Sequence, residues 1–398
     1  MTALALEHAG GNGQLRVTFL VRSMERGGAE RQLAVLARGL RHRGHDVTVV
    51  VFYPGGPLET ELRAGGVRVR DVGKHGRWDV LGFFARLRRV LIEEQPDVLH
   101  AYLPTPNVIA AALRWTMPGV RLVWGHRASN LDLDHDDWLA RVIDRLTIAM
   151  SRFPDLVIVN SRAGYAHAES IGYPPARMVV IPNGIDTDHF TIDRRAGRSI
   201  RTAWGIGEDE RLVGLVARVD PIKSFEVFLD AAAALARSHP NVRFVCVGDV
   251  GDAAYASAMR TLATGLGLDD RLVWAGGQSD MRAVYNALDV ACLSSAAEGF
   301  PNVIGEAMAC GVPCVSANVG DAAWLIDDDA LVAPPGDSAA LATRMGQLLD
   351  RPSEDLAPLA SAVRARVTSR FSVASLIDTT ERALYDLVRR DALLAEAR

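Results

Sequence analysis

The chain has 398 residues, 49% of them hydrophobic and 23% charged. That length exceeds one ordinary core and points to two globular domains. No apolar run is long enough to span a bilayer, and the net charge of −4 comes without a basic stripe interleaved with aromatics, so membrane spanning and nucleic-acid binding are excluded.

In chain order, the opening MTALALEHAGG has no basic n-region, so no signal peptide is expected, and the GGNG at 10–13 reads as a flexible start. Leu15–Val21 reads as a first strand. Gly27-Gly28 follows, then an amphipathic helix from Ala29 to His42 with Gly44 past its end, then a strand from Val47 to Phe52. Strand, helix, strand in this order begins a parallel α/β sheet. DVLH (97–100), RLVWG (121–125) and DLVIVN (155–160) continue it as short buried strands with helical stretches between. Val179–Pro182 leads into a PNGID turn. Residues 194–201 are polar, basic and aperiodic, which predicts a linker.

A second α/β series then begins. Its predicted strands are 211–216, 242–247, 271–274, 290–293 and 313–316, with helices at 231–238 and 255–266 among those between. The last helix, 373–390, carries Leu376, Leu384, Leu387 and Val388 and is expected to pack back on the first domain. The expected domains are 1–195, 196–370 and a C-terminal helix, 371–398: two Rossmann-like domains in tandem facing a cleft.

Charge is uneven. Residues 1–195 hold 25 Lys+Arg against 21 Asp+Glu, and the remainder 19 against 27. A basic first half suits an acidic membrane face or a phosphorylated acceptor, although so small an excess is also ordinary surface. The four cysteines lack metal-site spacing and read as reduced core residues of a cytoplasmic protein.

EGFPNVIGE (298–306) is the most informative stretch. The apolar run before it ends in Ser294-Ser295 and reads as a buried strand; Pro301 suits a helix start; Gly311 and Pro313 stop that helix. Glu298 therefore lies on the loop at a strand's carboxyl end and Glu306 in the second helical turn, where open α/β sheets bind ligands. A carboxylate so placed can accept from a ribose diol, and the helix start faces an anion. The second domain opens with GLVARVDPIK, which puts Arg218 and Lys223 at another strand's carboxyl end. Two cations on one loop suit a diphosphate: each charge-assisted hydrogen bond contributes roughly 1.5–3 kcal/mol, against about 0.3–1 for a helix N-terminus. Only two of the 44 basic residues are lysines, Lys74 and Lys223, so a lysine in this loop stands out as a compact ammonium.

Together these features resemble the retaining GT-B glycosyltransferases of family four, which transfer sugars from nucleotide-sugar donors. The resemblance covers most of the chain: Gly27-Gly28-Ala29-Glu30, the His126-Arg127 pair, PNGID, Arg218 and Lys223, and EGFPNVIGEAMACGVP. It implies that Arg218 and Lys223 hold the donor diphosphate and that Glu306 binds the ribose hydroxyls. It further implies that Glu298 and the backbone of Gly299, Phe300, Pro301 and Asn302 face the sugar, with His126 beside the sugar and its phosphate. Gly28 is expected to contact the donor as well, since a glycine lets a backbone approach phosphate or sugar closely. No G-x-G-x-x-G occurs, which weakens a nicotinamide or flavin reading. His100 is noted as an acceptor-side candidate, with a structural role favoured.

Asp132, Asp134, Asp136 and Asp137 have Asp-x-Asp spacing but read as a solvated, helix-starting loop rather than a metal site. No metal or cofactor is expected. The partners implied are a nucleotide-sugar donor and a glycan, lipid-linked or small-molecule acceptor, with a peripheral place on the cytoplasmic membrane face left open. A glycosidase pair is disfavoured by the adjacent cations. A nucleotide-sugar epimerase and a non-catalytic binding module remain as alternatives. Base contacts near Gly276-Gly277-Gln278 would hide nucleotide specificity in the backbone. The GDAAWLI segment (320–326) resembles bacterial cell-surface or exopolysaccharide enzymes, by analogy alone.

Overall fold

The structure, a computed structural model, describes residues 13–25, 27–76, 78–127 and 138–396. The chain divides into two compact units: residues 1–184 with 373–398, and residues 185–372. The acidic run at 132–137 and most of the GGNG start lie outside the described residues.

The first unit is built on a seven-stranded parallel sheet ordered β3-β2-β1-β4-β5-β6-β7. Its strands are β1 (Arg16–Val21), β2 (Asp46–Val51), β3 (Arg68–Asp71), β4 (Val98–Tyr102), β5 (Arg121–His126), β6 (Leu156–Val159) and β7 (Met178–Val180). Both faces are covered, so the strands read as near-continuous apolar runs. Alternation along β1 still sorts the core: Val17, Phe19 and Val21 meet Leu33, Leu36 and Leu40 of helix Gly28–His42, while Leu20 joins Phe83 and Leu87 on the opposite face. The C-terminal helix, Val373–Glu396, completes the first of these layers with Leu376, Ile377 and Leu384. Gly39 allows its approach: a Cβ there would come within 2.1 Å of the Ile377 side chain.

The second unit carries a six-stranded parallel sheet ordered β10-β9-β8-β11-β12-β13. Its strands are β8 (Arg211–Val216), β9 (Val242–Val247), β10 (Leu272–Gly276), β11 (Val290–Leu293), β12 (Cys314–Ala317) and β13 (Val332–Ala333). All four cysteines are unpaired and buried, and burial pushes their thiols up.

The predicted linker is a helix, Arg194–Ala203. Its apolar stripe is short: Ile200 and the following Trp204 pack against the second unit's core beside Gly197, while Arg194, Arg195 and Arg198 are exposed. Gly197 lies so close to helix Met281–Ala287 that a Cβ would come within 2.1 Å of the Asn286 carbonyl oxygen. Arg201 donates to Ala287 O and to Asp289, each at 2.9 Å. Among the described residues no helix is long and apolar enough to cross a membrane.

Candidate functional site

Strand order reverses between β1 and β4 in the first sheet and between β8 and β11 in the second, and ligands of such sheets sit beyond the carboxyl ends at these points. In the second unit the two loops that carry the predicted cations and glutamates leave β8 and β11, which pair directly, Leu215 opposite Cys292.

After β8 the chain turns at Asp220, whose carboxylate accepts from Ile222 N–H and opens a 3₁₀ turn, Pro221–Lys223. Ser224 then takes a left-handed backbone, φ +47°, an uncommon state for a non-glycine residue. Two hydrogen bonds pin this turn to the end of β11: Ser294 Oγ donates to Lys223 O and Ala296 N–H donates to Ile222 O, each at 2.9 Å. The Lys223 ammonium is thereby set 2.7 Å from Glu298 Oε1, which also accepts from Ser295 Oγ at 2.7 Å. Both side chains are mostly enclosed, 23% and 14% exposed. Arg218 stands apart from that pair. Its side chain is 64% exposed, its guanidinium pairs with Asp220 at 3.0 Å, and its stem lies against Gly251. Glu298 is therefore faced by one of the two expected cations, Lys223.

The loop after Glu298 is held from behind. The Phe300 ring turns inward onto Phe371, 5.6 Å between centres, and Pro301 is buried beside it, which leaves Gly299 as the partly exposed backbone of the loop. Asp321 N–H donates to Gly299 O at 2.8 Å. Gly320, at φ +55°, packs so tightly that a Cβ would sit 2.3–2.5 Å from the carbonyl oxygens of Gly299 and Glu298. Helix Asn302–Ala309 begins after Pro301 without a side-chain cap. Glu306, in its second turn, accepts from Tyr285 Oη at 2.6 Å. Tyr285 is 1% exposed, and burial with the neighbouring Glu306 charge holds its phenol well above the usual value, so it stays protonated and donates. This fixes one carboxylate oxygen of Glu306. The Gly276-Gly277-Gln278 turn closes on itself through Gln278 Nε2 donating to Ala275 O at 2.7 Å, and it follows the edge strand β10.

In the first unit, Gly28 is the first residue of its helix, and a Cβ placed there would meet nothing within 4 Å. Among the described residues no neighbour forces a glycine at this position. His126 ends β5, is 8% exposed and packs edge-on against Tyr173. Its pKa is lowered to about 4 by burial, with nearby His167 adding, so the ring is neutral at physiological pH. Its Nε2 is enclosed and has no hydrogen-bond partner among the described residues. His100 lies wholly inside, between Phe19 and Tyr102, which suits the structural role rather than acceptor contact.

Sequence reasoning missed Tyr285, Ser295, Asp220 and Gly320. Three of them act on a partner within three residues or across a short strand-end gap, and Tyr285 meets Glu306 only through folding. The sole advance signal was the GDAAWLI segment, which contains Gly320.

Comparison with known proteins agrees with this architecture. The family model for Glycosyltransferase Family 4 matches residues 26–189, and that for Glycosyl transferases group 1 matches residues 210–351. Among curated relatives, D-inositol 3-phosphate glycosyltransferase of Mycobacteroides abscessus is 31% identical over 239 residues, 58% of this chain and 53% of that protein. The same enzyme of Mycobacterium tuberculosis is 37% identical over 172 residues, 42% of this chain and 34% of that one. The chain thus spans about half or less of the curated relatives it matches. Among solved structures, Anabaena Alr3699/HepE in complex with UDP aligns with a TM-score of 0.80 at 26% identity, covering 93% of this chain and 99% of that one. Sucrose-phosphate synthase from Thermosynechococcus elongatus, 19% identical with a TM-score of 0.75, shares the fold over 94% of this chain and 99% of its own. With one glycosyltransferase model matched in each unit and a full-length structural likeness over both, the chain belongs to the GT-B glycosyltransferases, of the family 4 and group 1 type.

Proposed function

We propose that this chain is a retaining, metal-independent glycosyltransferase. It moves a sugar from a nucleotide-diphosphate sugar, UDP or GDP type, to a glycan, lipid-linked or small-molecule acceptor in bacterial polysaccharide or glycoconjugate synthesis. The observation that carries the reading is the Lys223–Glu298 pair at 2.7 Å beyond the carboxyl ends of β8 and β11. There the ammonium can exchange its carboxylate partner for a donor phosphate, while Arg218 supplies a second, mobile charge. Glu306, oriented by Tyr285, is assigned the ribose diol. Gly28 and His126 belong to the first unit, which is assigned the acceptor. His126 is neutral and its Nε2 has no partner among the described residues, so it can hydrogen-bond a sugar hydroxyl without adding charge.

In the proposed reaction the bond between the anomeric carbon and the diphosphate oxygen breaks, and Lys223 and Arg218 stabilise the departing charge. The acceptor hydroxyl attacks on the same face, and its proton passes to a phosphate oxygen of the leaving group. UDP sugars are the donors to test first, because the Anabaena protein is described in complex with UDP and with UDP-glucose. A phosphorylated small acceptor comes first on the other side, because the curated relatives act on D-inositol 3-phosphate.

The test is a nucleotide-release screen over sugar donors, with and without lipid-linked and phosphorylated acceptors, run with and without EDTA. Acceptor-dependent release that survives chelation is expected. Donor conversion without any acceptor would favour the epimerase, and loss of release on chelation would end the metal-free reading. Glu306→Ala should weaken nucleotide binding in calorimetry; full affinity in that variant removes the ribose assignment.

A further inference from the structure

The carboxyl ends of β4 and β5 in the first unit hold a polar cluster that the donor site leaves unused. Arg127 directly follows β5. Its Nη1 donates to Asn183 Oδ1 at 2.5 Å and its Nη2 to Tyr102 Oη at 3.0 Å, and its guanidinium carbon lies 5.0 Å from the Tyr102 ring centre. These partners are neutral. Arginines elsewhere in this unit, such as Arg16, Arg68 and Arg114, are paired with carboxylates, but among the described residues no carboxylate pairs with Arg127. Its Nε is enclosed and has no hydrogen-bond partner among the described residues. Near it, among the described residues, both nitrogens of His100 and Oδ1 of Asn107 are also enclosed without a hydrogen-bond partner.

A positive charge held by neutral groups in a partly enclosed place is unfavourable unless an anion comes to it. Rotating the side chain out to water would relieve it, but the two hydrogen bonds and the Tyr102 ring hold the fork in place. The neighbouring backbone is strained as well. Leu103, at the end of β4, has φ +73° and ψ 162°, a region nearly reserved for glycine, and its N–H donates to Gly125 O at 3.3 Å, two residues before Arg127. Strain of this kind persists where the surrounding structure has a use for it. Arg127 itself is neither buried nor fully exposed, so a ligand can reach the guanidinium.

We infer that Arg127, held by Tyr102 and Asn183, is an oxyanion-recognition point in the first unit, taking a phosphate or carboxylate group carried by the acceptor. The inference rests on the glycosyltransferase reading for the word acceptor, but not for the site. A rigid planar fork matches an oxyanion, and a lysine would not reproduce it.

The test titrates inorganic phosphate and, separately, acetate into the full chain saturated with UDP, so that Arg218 and Lys223 are occupied. Binding is read by calorimetry. Phosphate or acetate should bind the wild type, at least tenfold more weakly to Arg127→Gln, and with an intermediate loss to Arg127→Lys. The anion whose affinity depends on Arg127 names the acceptor's group. Equal affinity in wild type and a folded Arg127→Gln, or no binding of either anion by the wild type, overturns the site. Should Arg127→Gln fail to fold, Arg127→Lys decides: a severalfold loss supports the site and unchanged affinity overturns it. A purely structural arginine would change the melting temperature and leave anion affinity alone. UDP affinity should be the same in all three proteins; if UDP does not bind at all, the donor reading fails, while the phosphate comparison still judges Arg127.

Discussion

Lys223 contributes its ammonium, and the turn around it exists to place that group. Ser294 and Ala296 fix the turn's carbonyls, and Glu298 takes the charge, the partner that a donor phosphate would replace under the proposed function. Lys223→Ala should lower turnover by about 10²–10³ fold, the scale of losing one transition-state charge partner. Stopped assays on a folded variant check this, and unchanged turnover removes Lys223 from the mechanism. His126 makes a prediction of a different kind. An unfolded imidazole titrates near 6.5, whereas buried His126 is held neutral until about 4. Between those values the unfolded chain binds more protons, so this contribution to stability is complete above about pH 6.5 and is lost as pH falls towards 4. His100 shifts in the same direction, by burial first and then by the charge of Arg127. Urea unfolding at pH 7 and pH 5 should show a loss in the wild type, of which roughly 2 kcal/mol disappears in His126→Asn. Parallel losses in the two proteins would mean that His126 titrates normally.

At the scale of elements, the loop 298–301 is shaped by the segment packed behind it. Gly320 backs it so closely, and in so unusual a conformation, that Gly320→Ala must push the carbonyls of Glu298 and Gly299 outward. Strain plus that displacement should destabilise the second unit by about 1–3 kcal/mol and weaken donor binding together. Thermal unfolding and UDP calorimetry on the same variant test it; a loss of stability with unaltered UDP affinity would uncouple the backing segment from the loop. The strands of both sheets were legible because sheets buried on two faces leave apolar runs. The edge strands β3 and β13 were not: in β3 Arg68 and Arg70 face Asp46, Glu93 and Glu94, so its sequence looks like loop, and β13 is only two residues long. Helix Arg194–Ala203 hid because its apolar face is short, Gly197, Ile200 and the following Trp204, among exposed arginines. Glu298 and Glu306 could be placed from punctuation alone, because proline and glycine mark both ends of their helix. Tyr285 could not, since no period connects it with a glutamate 21 residues later.

At the scale of the molecule, the chain returns to finish what it began. The second unit is one continuous stretch, 185–372, but the first needs the C-terminal helix to close a core layer over Leu33, Leu36 and Leu40. That helix is fixed by packing and by charge: Leu384 is fully buried, Arg43 pairs with Asp378 and Glu381, and His45 meets Glu381 at 2.7 Å. The two contributions differ in size. Exposed or half-exposed ion pairs contribute about 0–1 kcal/mol, whereas a buried Leu→Ala change costs about 2–5. Leu384→Ala should therefore lower the first unit's unfolding midpoint far more than Asp378→Ala does. The transition that UDP raises, which belongs to the second unit under the proposed donor site, should stay where it is in both variants. Calorimetry with and without UDP separates the two transitions. If Leu384→Ala moved the UDP-responsive transition as much as the other, the C-terminal helix would be stabilising both units, and the division at residues 184 and 373 would not describe how the protein unfolds.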